Sequence, residues 1–163
     1  MMIRAAEHAD WPKIWPFFQR IVLDGETYAY PLDLTEATGE PYWIAEPPGQ
    51  TVVAVDGDEV LGSATMGPNR PGRGAHVATA SFMVDPASQG KGVGRALGEY
   101  VVRWSRESGY HAIQFNAVVE TNVVAVGLWR SLGFEILATV PESFNHPKHG
   151  LTGLHLMYQL LRK

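Results

Sequence analysis

Apolar and polar positions alternate along this chain in two rhythms, and the switches between them predict its elements. A period of two marks strands, and a period near 3.6 marks helices. Ile3 to Ala6 reads as a short first strand. Trp11 to Leu23 reads as an amphipathic helix with Asp10 as N-cap and Pro12 in its first turn, and Pro16 in its interior predicts a kink. GETYAYP, residues 25–31, is a loop that leads to a second, weakly defined helical stretch. TVVAV (51–55), the turn DGD and EVLGSATM (59–66) form a hairpin, and PNRPGRG (68–74) is a loop by composition. HVATASFMV (76–84), AIQFNAV (112–118), FEILATV (134–140) and LHLMYQL (154–160) supply four more strands. With no internal repeat, low-complexity tract or linker, the pattern predicts one α/β domain over residues 1–163, a mixed sheet covered by helices.

Two places in this pattern carry chemistry. In SFMVDPASQGKGVGRALGEYVVRWS, residues 81–105, a strand passes through a glycine turn into a helix whose buried face holds Val93, Leu97, Tyr100, Val101 and Trp104. Asp85-Pro86 stops the strand, because proline has no N–H for a ladder, and Gly109 ends the helix. Gly90, Gly92 and Gly94 strip side chains from the turn, so the unpaired amides and the positive dipole end of the helix lie open to an anion. Lys91 and Arg95 add positive charge. The dinucleotide pattern GxGxxG fails at Leu97, and the Walker pattern fails because Gly92 follows Lys91. The second place is FNAVVETNVVAVGLWRSLGF, residues 115–134. Asn122 is an N-cap, Ala125, Leu128, Trp129 and Leu132 follow at helical spacing, and Gly133 sits where a left-handed cap is wanted.

Gln89, Gly92 and Gly94 form QxxGxG, which resembles the coenzyme A pyrophosphate loop of the GNAT superfamily of N-acetyltransferases; residues 122–134 resemble that family's second motif, NxxAxxLYxxxGF. The resemblance is specific from about residue 76 to residue 140. It implies a single-domain GNAT-type mixed sheet flanked by helices, with a splay between the fourth and fifth strands. It implies acetyl-CoA as cosubstrate and direct attack of an amine on the thioester. The backbone of Phe82, Met83 and Val84 would hold the pantetheine arm and polarise the thioester carbonyl. Gln89, Gly90, Lys91, Gly92, Val93, Gly94 and Arg95 would take the pyrophosphate, and Asn122 the pantetheine end. The sequence departs from the motif at Trp129, where the family has a tyrosine that protonates the leaving thiolate. Indole is far too weak an acid for that, so Trp129 would stabilise or pack against the thiolate or serve as a core residue of its helix, and water or the substrate ammonium could supply the proton.

Acceptor and base are less sharply marked. Glu120, in the loop leaving the fifth strand, is the first candidate base, with the alternative that it serves the following helix dipole. Glu26, Tyr28 and Tyr30 form a second group on the expected acceptor wall, Tyr28 as a catalytic candidate and the other two as substrate contacts. His146 and His149 in ESFNHPKHG suit a mobile loop over the site, and no carboxylate at ligand spacing accompanies them, so no metal is expected. FNAVVETN with the TYAYP loop also looks like the fungal acetyltransferases of azetidine-2-carboxylate, a resemblance that implies Asn116 as a contact to the acceptor's carboxylate. Arg70 and Arg73 are further candidates for an acidic acceptor.

Composition narrows the classes. The chain has no cysteine, which excludes disulfides, thiolate metal sites and a cysteine nucleophile. A net charge of −4 gives no basic footprint for nucleic acid. There is no apolar run of bilayer length and no leader pattern, so a cytoplasmic protein without membrane partners is expected. The favoured expectation is an acetyltransferase acting on a small amino acid-like amine. Protein or peptide acetylation and a non-catalytic acyl-CoA-binding module are its rivals. The residues fix neither the acceptor nor the oligomeric state, and a homodimer stays open.

Overall fold

A computed structural model describes residues 1–161. Seven strands and four helices follow one another as β1 (Met2–Ala5), α1 (Trp11–Asp24), α2 (Glu36–Trp43), β2 (Gln50–Asp56), β3 (Glu59–Pro68), β4 (Val77–Val84), α3 (Val93–Glu107), β5 (Ala112–Val119), α4 (Val123–Ser131), β6 (Glu135–His146) and β7 (Gly150–Leu160). They form one sheet in the order β1-β2-β3-β4-β5-β7-β6, in which only β4 and β5 run parallel. Every strand expected from the period-two pattern is present.

The sheet buries both faces, which explains why β2 and β3 read as nearly continuous apolar runs. On one face α3 and α4 cover Val52, Ala54, Ile113, Phe115 and Met157; on the other α1 and α2 cover Val53, Val55, Val60 and Met83. Alternate residues of a strand therefore belong to different cores. The weak second helix is held from outside its own sequence. Thr35 caps it reciprocally with Thr38, the Trp11 indole donates to the Glu36 carbonyl at 2.6 Å, and the Trp43 indole donates to Ser63 Oγ at 2.8 Å.

α1 contains Pro16 within a single helical segment. Two local expectations change. First, Asp10 makes no side-chain cap to α1. Its carboxylate instead accepts both Arg4 guanidinium nitrogens at 2.8 Å and the Glu7 amide at 2.8 Å. Second, the histidine segment is not a mobile loop: β6 continues to His146 and pairs with β7 down to His146–Gly150, and the His146 ring is buried with Nδ1 accepting the amides of Lys148 and His149.

The Arg4–Asp10 pair gives a pH-dependent stability. The Arg4 hydrogen bonds hold the Asp10 carboxyl below its ordinary value of 3.8. The contribution is therefore fully present above that value and is lost as the pH falls through the lower folded one. Asp10→Asn should cost about 2 kcal/mol at pH 7, the worth of a charge-assisted hydrogen-bond set. Urea melts of the two proteins should draw together as the pH falls below 3.8.

Candidate active site

The cavity starts where β4 and β5 part. Their parallel ladder lasts only from Val77–Ala112 to Ala78–Ile113. Beyond it β4 stays paired with β3 as far as Val84, and β5 with β7, so a gap opens in the plane of the sheet. A bulge in β5 between Phe115 and Val118 accompanies the divergence. Backbone groups of a strand point alternately to its two neighbours, and the Asp85 amide bonds to the Leu61 carbonyl. By that alternation the N–H and C=O groups of Ala80, Phe82 and Val84 face the gap.

The gap belongs to a cavity of about 840 Å³. One end is the glycine turn. Gly92 is the N-cap of α3 with φ +78°, and Gly90 has φ +80°; nothing lies within 4 Å of a Cβ added at either. No side chain caps α3, which leaves its first amides open to a ligand. The Ser88 hydroxyl, on the cavity wall and 1% exposed, has no hydrogen-bond partner among the described residues. An open amide nest, an orphaned hydroxyl and strand groups that face the gap fit a diphosphate carrying an extended amide-rich arm. Gly92→Ala should weaken it. The chain there is in the left-handed region, at a cost of about 1–2 kcal/mol for a residue with a Cβ. Acetyl-CoA affinity measured by calorimetry should fall about tenfold. Crowding is not the reason within the chain itself, since the space beside Gly92 is open.

Away from the glycine turn, the α1–α2 loop and the strands supply Glu26, Thr27, Tyr28, Thr79, Ser81, Asn116, Phe144 and Leu154 to the lining. The Tyr28 hydroxyl reaches into the gap, donating to the Phe82 carbonyl at 2.7 Å and accepting from the Phe82 amide at 2.8 Å. Burial pushes the Tyr28 phenol far above its ordinary value of 10.0, so it stays neutral and is no base. Tyr30 lies behind it, the rings 5.6 Å apart and stacked, and Tyr30 in turn meets Phe18 at 5.4 Å. Glu26 pairs with Lys148 of the β6–β7 hairpin at 2.7 Å, and that hydrogen bond holds its carboxyl below the usual range. Asn116 donates to Asn69 at 2.6 Å and accepts from Gln114 at 2.9 Å, tying the loop that follows β3 to the cavity wall.

The profile of the Acetyltransferase (GNAT) family matches residues 11–134. The chain belongs to that family. A solved GCN5-related N-acetyltransferase from Kribbella flavida is 58% identical, with a TM-score of 0.95 over 98% of this chain and 97% of that one. YncA from Salmonella typhimurium, solved with its cofactor acetyl-CoA, is 26% identical, with a TM-score of 0.88 over 100% and 95%. Among curated proteins, the L-methionine sulfoximine/L-methionine sulfone acetyltransferase of Pseudomonas aeruginosa is 33% identical over 146 residues, 86% of this chain and 83% of that protein. Protein SPT10 of Saccharomyces cerevisiae and N-acetyltransferase aca1 of Schizosaccharomyces pombe match over 85 and 75 residues, and the chain spans only 13% and 36% of their lengths.

In this GNAT chain the residues expected at the coenzyme end come together. Phe82, Met83, Val84, Gln89, Gly90, Gly92, Val93, Gly94, Arg95, Asn122 and Trp129 all line the cavity, while Lys91 is exposed outside the lining. Arg95 is partly committed, since its guanidinium donates to Ser131 Oγ at 2.8 Å. Asn122 caps α4 through the Ala125 amide, as its spacing predicts. Trp129 is a core residue with one edge on the cavity, 4.4 Å from the Phe82 ring and 5.2 Å from that of Phe115. At Gly98 a Cβ would come within 2.8 Å of the Trp129 ring, so that glycine sets the approach of α3 to α4.

The acceptor end departs from expectation at Glu120. It does not line the cavity; its carboxylate lies over Gly153 of β7, and its amide donates to the Gly153 carbonyl at 3.0 Å. Among the described lining residues Glu26 is the one carboxylate. Thr79, Ser81, Phe144 and Leu154 were missed by sequence reasoning. Thr79 and Ser81 did carry a signal, as polar positions sharing one face of an otherwise apolar strand. Phe144 carried none, because the extent of β6 was hidden by its polar run ESFNH.

Proposed function

We propose that this acetyltransferase moves the acetyl group of acetyl-CoA directly to the amine of a small amino acid-like acceptor. The carrying observation is the two-ended cavity through the splay. Its glycine turn suits a pyrophosphate, and its other end is a short polar wall with a single carboxylate. The names of two kinds of neighbour support the reading: one holds acetyl-CoA, and another acts on methionine sulfoximine, a small amino acid derivative.

The amides of Gly90 to Arg95 would hold the pyrophosphate, and the outward groups of Val84 the pantetheine arm. When bound, acetyl-CoA supplies an activated acyl group. Glu26, ionised at neutral pH and paired with Lys148, faces the acceptor end and anchors the acceptor's ammonium; it takes one proton from it, directly or through a water, before the free amine attacks, and the C–N bond then forms as the C–S bond breaks. The departing thiolate takes a proton from the water or ammonium at the acceptor end, because Trp129 has none to give. The α1–α2 loop and the β6–β7 hairpin meet through Glu26–Lys148, and Pro147 lies beside Gly25. That closure favours a compact acceptor over a protein tail.

Product identification tests the acceptor class. Incubation with [1-13C]acetyl-CoA and L-methionine sulfoximine or azetidine-2-carboxylate should give the N-acetyl compound as a new carbonyl resonance. Acetylation confined to peptide N-termini or lysines would overturn the small-molecule reading.

A further inference from the structure

The hydroxyl of Tyr28 stands where the two ends of the cavity meet. A chain anchored at the glycine turn and laid along the open edge of β4 passes Val84 and then arrives at Phe82, whose amide and carbonyl are both engaged by Tyr28. An acceptor entering from the Glu26 side meets the same hydroxyl, since Tyr28 and Glu26 leave the same loop. The reacting carbonyl must lie between these approaches.

We infer that Tyr28, rather than the Phe82 amide itself, presents the hydrogen bond that polarises the thioester carbonyl, with the amide supporting Tyr28 from behind. This rests on the acetyltransferase reading above. Displacing the ring is costly: it stacks on Tyr30, which packs on Phe18 and Tyr42. Redirecting the proton is cheap. A phenolic O–H rotates about its C–O bond, so the proton now on the Phe82 carbonyl swings to a ligand oxygen while the Phe82 amide goes on donating to the same hydroxyl oxygen. An accepted hydrogen bond makes the O–H a better donor, and a fixed donor in a dry site stabilises charge developing on the carbonyl oxygen. Because the phenol stays neutral, the proton is in place across the working pH range.

The competing possibility has the opposite sign. If Tyr28 merely blocks the Phe82 amide, its removal frees a donor and improves binding or turnover.

The test uses Tyr28→Phe and the infrared carbonyl band of bound [1-13C]acetyl-CoA, which needs no acceptor. In the wild-type protein the band should lie below its position in water, and in the variant it should move back toward it. Calorimetric Kd for acetyl-CoA should change less than threefold, while kcat with any amine acceptor falls roughly a hundredfold, as for loss of one donor to a developing oxyanion. An unshifted wild-type band overturns the inference even if the variant does not fold. A variant that binds more tightly or turns over faster assigns Tyr28 as a block. Absence of acetyl-CoA binding by the wild-type protein would instead sink the acetyltransferase reading, and this inference with it.

Discussion

Glu26→Gln is expected to lower kcat/KM for the amine acceptor roughly a hundredfold, the usual worth of a positioned base, while leaving acetyl-CoA affinity within threefold. The asymmetry follows from placement. Glu26 comes to the cavity wall from the α1–α2 loop and the glycine turn from the start of α3, so in the proposed reading they serve different substrates. Glu120→Gln should change kcat/KM less than threefold, because its carboxylate packs over Gly153 rather than on the cavity wall. Lys148 gives a third arm. Its hydrogen bond is the first cause of the lowered Glu26 pKa, so Lys148→Ala should let that carboxyl rise toward its ordinary 4.5. The group would still be ionised at neutral pH, and the acid limb of the wild-type profile should follow the acceptor's ammonium instead. Steady-state kinetics of the three variants check this set; equal losses for Glu26→Gln and Glu120→Gln would contradict the assignment.

Trp129→Ala should destabilise the fold by about 3–5 kcal/mol, in the range for deleting a large buried aromatic. The indole sits among Phe82, Phe115 and Phe134, with ring centroids 4.4, 5.2 and 6.4 Å away, and the Gly98 backbone lets α3 close over it. Trp129→Phe separates packing from chemistry. It keeps an aromatic ring and removes the N–H, for which the described residues hold no hydrogen-bond partner, so kcat should stay within about threefold while the unfolding midpoint falls. A hundredfold loss of kcat in a folded Trp129→Phe protein would give the indole N–H a part in handling the thiolate.

These two residues mark how far the sequence could be read. The glycine turn was legible because it is local: turn, amides and helix start lie within a few consecutive residues, and glycine spacing reports their geometry directly. Trp129 was legible as a core position from its helical spacing with Ala125 and Leu128. The acceptor end is assembled from the α1–α2 loop, β4, β5 and the β6–β7 hairpin, and no periodicity reports which side chains of distant segments converge. Glu120 is near the splay in sequence, yet the pairing of its amide with Gly153 carries it over β7. Glu26 finds its ion-pair partner in Lys148, far away along the chain. Asp10 misled for a related reason, since Arg4 and the Glu7 amide outcompete the helix start for its carboxylate. The histidine segment was misjudged because exposed edge-strand residues need not be apolar, and ladder pairing, not composition, makes β6 a strand there.

The most direct test of the central claim is coenzyme A release from acetyl-CoA, followed with a thiol reagent across amino acids, cyclic imino acids, polyamines and short peptides; the cysteine-free chain adds no thiol signal of its own. The account predicts release that depends on a free amine, is greatest for a small amino acid-like acceptor and is lost when that amine is blocked. Tight acetyl-CoA binding by folded protein with no release for any amine would contradict it and leave a binding module.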